Sequence, residues 1–142
     1  MTVLGIDPGT RRVGVAVSDA GDTVALPLAV VQRKDDDSYI EELVEIARVR
    51  EADRIVVGLP RRLDGSDGPE AHAAMHLAKT LRTRLGLPVH LVDERFTTRI
   101  AEDALSVVKV SARRQRPVVD KVAATLLLQG FLDSDKPKVE NT

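Results

Sequence analysis

The stretch that decides the fold is Val3-Leu4-Gly5-Ile6-Asp7-Pro8-Gly9-Thr10-Arg11-Arg12-Val13-Gly14-Val15-Ala16-Val17-Ser18-Asp19. Two short runs rich in β-formers, Val3 to Ile6 and Val13 to Val17, flank a segment of turn chemistry that begins at Asp7-Pro8-Gly9. Strand, acid and breaker in that order put a carboxylate at an exposed strand end beside backbone N–H groups. Taken alone, Asp-Pro-Gly is equally readable as an ordinary turn, because each residue favours turns for its own reason. Ser18-Asp19-Ala20-Gly21-Asp22 turns the chain again into Val24 to Val31, so the first third reads as a three-stranded antiparallel meander.

Beyond the meander, Ser38 is placed to cap a helix in which Ile40, Leu43, Val44, Ile46 and Ala47 recur at helical spacing, with Glu41, Glu42 and Glu45 outside. Then strands alternate with helices: strand Arg54 to Leu59, helix Pro69 to Leu85, strand Val89 to Val92, and a helix from about Thr98. Such alternation implies parallel pairing through right-handed crossovers. The spacing predicts a last helix from Pro117, a residue favoured at a first helical position, to about Leu132. Periodicity fails between Val107 and Arg116, which predicts a flexible loop. The expected fold class is α/β and RNase H-like, a mixed five-stranded sheet with helices on both faces. One domain over residues 1–135 and a frayed polar tail over 136–142 are expected.

Composition narrows the function. The chain has 142 residues, 43% hydrophobic and 30% charged, with a net charge of −1 and no cysteine. A disulfide framework, thiolate zinc and thiol catalysis are thereby excluded. No run approaches the roughly 18 apolar residues of a membrane span, and Met1-Thr2-Val3-Leu4 lacks the basic start of a signal peptide. A soluble, cytoplasmic protein without a membrane partner is expected. No global positive field advertises a polyanion, so nucleic acid must be met by local cations.

Three acids stand where an apolar residue would cost less. Asp7 ends the first strand, and Glu94 follows the run Val89-His90-Leu91-Val92-Asp93. Asp120 shares a helical phase with Ala123, Ala124, Leu127 and Phe131. Carboxylates converging on one site need a compensating cation, which points to metal-ion chemistry. Alternation along the fifth strand lets only one of Asp93 and Glu94 face such a site; Glu94 is preferred and Asp93 stays open. A capped helix start with a Glu94–Arg95 surface pair is the competing explanation for that segment, and a first-turn acid on the helix dipole is the one for Asp120.

Cations and hydroxyls near these acids form the candidate nucleic-acid contacts: Thr10, Arg11, Arg12, Arg61, Arg62, Arg95, Thr97, Lys109, Arg113, Arg114, Arg116 and Lys121. The cluster from Lys109 to Arg116 reads either as a solvated charge run or as a backbone clamp. Gly58-Leu59-Pro60 with Gly65, Gly68 and Pro69 forms a glycine-rich loop, but without the Gly-Lys-Ser/Thr ending of a P-loop. His72 and His76, four apart, read as helix-surface residues in the absence of a third ligand.

Taken in order, Gly5-Ile6-Asp7-Pro8-Gly9-Thr10, Val57-Gly58-Leu59-Pro60, Asp93-Glu94-Arg95-Phe96-Thr97-Thr98 and Asp120-Lys121-Val122-Ala123-Ala124 resemble the YqgF family. These nucleases, also called RuvX, are similar to the RuvC resolvase. The resemblance spans nearly the whole chain and implies a carboxylate trio at Asp7, Glu94 and Asp120 serving two Mg²⁺ or Mn²⁺ ions. It implies two substrates, structured RNA at the 5′ end of precursor small-subunit ribosomal RNA and branched DNA at four-way junctions. The RNA reading is preferred, with the ribosome precursor as partner and a monomer or weak homodimer as the assembly. RuvC-type resolvases carry an acid at the end of the fourth strand, where this chain has Gly58-Leu59-Pro60. Two other classes remain: a non-catalytic RNA-binding module, and the sugar kinase and actin group, whose phosphate loop is similar but which needs two such domains.

Overall fold

The computed structural model describes residues 2–34, 36–60, 64–93 and 112–134, the stretch 112–120 by its backbone. Strands β1 (Val3–Pro8), β2 (Arg12–Ser18) and β3 (Ala25–Gln32) are followed by helix α1 (Ser38–Val49). Then come strand β4 (Arg54–Leu59), helix α2 (Pro69–Leu85), strand β5 (Val89–Asp93) and helix α3 (Ala112–Ser134). The sheet order is β3-β2-β1-β4-β5. Antiparallel pairing joins β1 to β2 and β2 to β3, while β4 lies parallel to β1 and to β5. The expected mixed sheet is therefore present, with β1 at its centre.

Pairing register sorts side chains onto two faces, because directly paired residues share a side and neighbours along a strand alternate. Ile6, Val57 and Leu91 fall on one side, and Gly5, Val56 and His90 on the other. The first side is covered by α1 and α2. Tyr39, Ile40, Leu43 and Val44 of α1 and Ala71, Ala74, Leu77 and Leu81 of α2 pack there with Leu4, Ile6, Val13, Val15, Ile55 and Val57. Their three- and four-residue spacing is the stripe that drives both helices onto the sheet. On the second side Ala124, Leu127 and Leu128 of α3 pack on Val3, Ala16, Ala25 and Val56.

Local chemistry sets the element ends. Pro69 opens α2, and Gly86 closes it in the left-handed conformation at φ 68°, its N–H bonded to the Arg82 carbonyl. Ser38 is the first residue of α1 and not its cap: Asp37 holds that position without a side-chain bond, and the Asp36 carboxylate accepts the Ser38 N–H at 3.0 Å. Between β2 and β3, Asp19 accepts the N–H groups of Thr23 and Val24, bonds that hold its carboxyl below the usual range.

The last helix departs from expectation. It begins at Ala112, so Pro117 is its sixth residue and the segment 112–116 is helical instead of a loop. Ala112-Arg113-Arg114-Gln115-Arg116 are strong helix formers, and propensity carries the segment where apolar periodicity is missing. Asp120 consequently lies in the third turn and not the first, so the helix dipole no longer accounts for an acid there. The helix expected from Thr98, Lys109 and the tail 136–142 lie outside the described residues.

Candidate functional site

Asp7 is half-buried near the C-terminal end of the central strand, and strand alternation puts it on the α3 side with Gly5. Behind it the turn is tight. The Gly9 N–H donates to the Arg12 carbonyl at 2.9 Å, and a Cβ on Gly9 would lie 2.5 Å from that same oxygen. Only glycine permits this approach, which returns the chain into β2 immediately beyond the acid. Thr10 and Arg11 are exposed on the turn and Arg12 is half-buried.

Helix α3 runs back along β1. Gln129, near its C-terminal end, accepts the Ala25 N–H at 2.8 Å and donates to the Thr23 carbonyl at 2.9 Å, which pins that end to the start of β3. Ala25 pairs with Ser18, beside the N-terminal end of β1. Farther along, the Ala124 carbonyl and the Leu128 side chain sit over Gly5, where an added Cβ would come within 3.3 and 2.8 Å. From Gly5 to Asp7 the strand advances about 6.6 Å, and from Ala124 back to Asp120 the helix retreats about 6 Å. Asp120 thus stands one turn beyond Ala124 in the helix, in the direction in which β1 runs toward Asp7.

The fifth strand ends on Asp93. Asp93 pairs with Leu59, whose side chain belongs to the α1 and α2 core, so Asp93 falls on the side opposite Asp7. Val92, one residue earlier, packs with the α3 cluster on the side of Asp7. Glu94, Arg95, Thr97, Arg61 and Arg62 lie outside the described residues. Arg113, Arg114 and Arg116 sit in the first two turns of α3, and Lys121 is exposed one residue past Asp120. His72 and His76 are exposed on α2, and no group of three or more potential metal-binding side chains occurs among the described residues. Leu59, at the end of β4, is buried, so no acid occupies that strand end.

One residue with a role here was not legible in the sequence. Arg33 donates from Nη1 to the Gly9 carbonyl at 2.7 Å, its own N–H bonds the Arg11 carbonyl, and its guanidinium lies 4.9 Å from the Tyr39 ring centroid. It clamps the turn that follows Asp7. No motif carries that signal, because the contact joins residues 24 positions apart.

A mixed sheet of this order, with an acid ending the central strand and a helix crossing behind it, defines the RNase H-like class. RuvC of T. thermophilus, solved in complex with a Holliday junction substrate, superposes with a TM-score of 0.60 over 97% of this chain and 99% of that one, at 19% identity. A ROK hexokinase from Thermus thermophilus shares the fold at a TM-score of 0.50 and 23% identity, over 74% of this chain but 38% of its own. More specifically, the RuvX family model, described as Holliday junction resolvase, matches residues 1–134, and the chain belongs to that family of nucleases. A relative from Moorella thermoacetica, named "Putative pre-16S rRNA nuclease", is 43% identical over 94% of this chain and 95% of its own length. No helix among the described residues is long and apolar enough to cross a membrane.

Proposed function

We propose that this nuclease depends on Mg²⁺ or Mn²⁺ and trims the 5′ end of pre-16S ribosomal RNA, with Asp7, Glu94 and Asp120 as the ligands of two ions. The observation that carries this reading is Asp7, half-buried near the C-terminal end of the central strand on the side that α3 covers. The donor set fits the metal: hard carboxylate oxygens, few in number, suit ions that keep several waters and take substrate phosphate as a further ligand. When bound, such a pair supplies an activated water and neutralises charge developing on the departing oxygen.

The chain's own groups do the rest. Arg11 and Lys121, both exposed, offer cations to the phosphate backbone on either side of the acids, and Thr10 offers a hydroxyl. Arg113, Arg114 and Arg116 would extend that contact along α3 as a clamp on the flanking strand. Glu94 is preferred to Asp93 because the pleat turns Asp93 to the other side of the sheet. The partner is structured RNA within the ribosome precursor, which places the work in the cytoplasm, and the acting form is a monomer or weak homodimer.

A second reading, cleavage of four-way DNA junctions, is favoured by the description of the matching family and by the junction-bound RuvC. A non-catalytic RNA-binding module would not require the acids. The hexokinase-like reading needs a second domain, and this chain spans 38% of that protein. The discriminating experiment compares cleavage of structured precursor RNA and of a four-way DNA junction, with each metal, using Asp7→Asn as control. RNA cleavage lost in that variant supports the proposal. Undiminished hydrolysis by Asp7→Asn removes it, and cleavage of the junction alone replaces it by the resolvase reading.

A further inference from the structure

A cleft of about 340 Å³ opens beside the β1–β2 turn, lined by Thr10, Arg33, Lys34, Pro69, Glu70 and Ala73. We propose that it is a second phosphodiester subsite, which grips the nucleic-acid strand beyond the bond that is cut; the inference rests on the nuclease reading above. Thr10 is three residues from Asp7 and so within roughly 10 Å of it along the chain. Asp7 faces α3, whereas the cleft lies toward the start of α2, on the other side of the sheet. A strand leaving the acids therefore crosses the end of β1, over the turn that carries Arg11 and Arg12, and descends into the cleft.

The cations lining the cleft are arranged for an anion. Arg33 is held in place by the Gly9 carbonyl and by the buried Tyr39 ring, so its planar fork loses little further freedom on binding. Its remaining guanidinium N–H groups have no hydrogen-bond acceptor among the described residues. Lys34 is exposed at the mouth, where, after the hydrogen bonds from Ser38, its charge helps to lower the pKa of the Asp36 carboxyl. Glu70 is the one acid on the wall, so the lining carries one positive charge in excess. A phosphodiester would supply acceptor oxygens to the Arg33 N–H groups that the Gly9 carbonyl does not take.

The test measures binding of a labelled RNA hairpin with a single-stranded flank and, separately, of a four-way DNA junction, to the full chain carrying Asp7→Asn, across a range of salt. Adding Lys34→Ala is expected to weaken binding of the true substrate about fivefold and to lower the salt-dependence slope by about one; Lys34→Arg restores both. Arg33→Lys keeps the charge but loses the ring contact and should fall between. In the cleaving protein Lys34→Ala raises KM and leaves kcat in place. Affinity and slope unchanged in both Lys34→Ala and Arg33→Gln, in a protein that binds and cleaves, would overturn the subsite alone. Failure of the parent protein to bind or cleave either probe overturns the nuclease reading and the subsite with it.

Discussion

Gly5 and Leu128 touch so closely that a Cβ built on the glycine would stand 2.8 Å from the Leu128 Cβ, with the Ala124 carbonyl oxygen 3.3 Å away. The central strand and the last helix meet here without an intervening side chain. This contact sets how near α3 lies to the strand that carries Asp7.

Gly5→Ala should therefore push α3 outward, since the atoms it meets belong to or adjoin backbone and cannot rotate aside. A loss of about 1–3 kcal/mol is expected from overpacking. Denaturant unfolding reads the stability, and metal-dependent cleavage should fall by more than the unfolded fraction explains. A variant of parent-like stability and activity would show that the helix can shift freely.

Gln129 pins the far end of α3 through the Ala25 N–H and the Thr23 carbonyl. Gln129→Ala leaves the partly buried Ala25 N–H without that partner, at a cost of about 1–3 kcal/mol, whereas the exposed Thr23 carbonyl turns to water. Thermal unfolding measures it. Gln129→Glu should retain the acceptor for Ala25 but lose the donor to Thr23, and so fall between the two.

Arg84 and Glu41 join α2 to α1 by a two-pronged pair at 2.6 and 3.1 Å. The hydrogen bond and the charge of Arg84 lower the Glu41 pKa from its ordinary 4.5. A carboxyl depressed in the folded state contributes stability above its unfolded pKa and loses it as pH falls through the folded value. The Tm difference between the parent and Arg84→Ala should thus be present at neutral pH, small because the pair is exposed, and vanish in acid. It should also shrink in high salt. A difference that grows below pH 4.5 contradicts the assignment.

Neutralising Arg113, Arg114 and Arg116 together should flatten the salt dependence of nucleic-acid binding by about two to three units of slope if all three meet phosphates. Circular dichroism should show the helix retained when glutamine is the replacement, because glutamine is nearly as good a helix former. Equal slopes for parent and triple variant would assign the charges to solvent.

Much of the fold was legible because it depends on near-neighbour patterns. Strand Arg54 to Leu59 and helix Pro69 to Leu85 coincide with β4 and α2, since apolar spacing, proline at the first helical position and glycine past the last are local signals. The start of α3 was not, because proline is tolerated at a first helical position and in this helix stands sixth. The acid Asp7 could be singled out from its strand-and-turn context. Arg33 could not, since its value lies in reaching Gly9 and Tyr39.

By itself the sequence determined the five strands and the first two helices, the acid near the end of the central strand, the absence of thiol chemistry and the family. The tertiary structure decided which side of the sheet each residue occupies. Strand parity alone cannot say which side is which until pairing fixes Leu59 opposite Asp93 and a helix settles on Gly5. It also decided that Arg33 and Lys34 line one cleft with Thr10, because positions so far apart along the chain are brought together only by sheet register and helix packing.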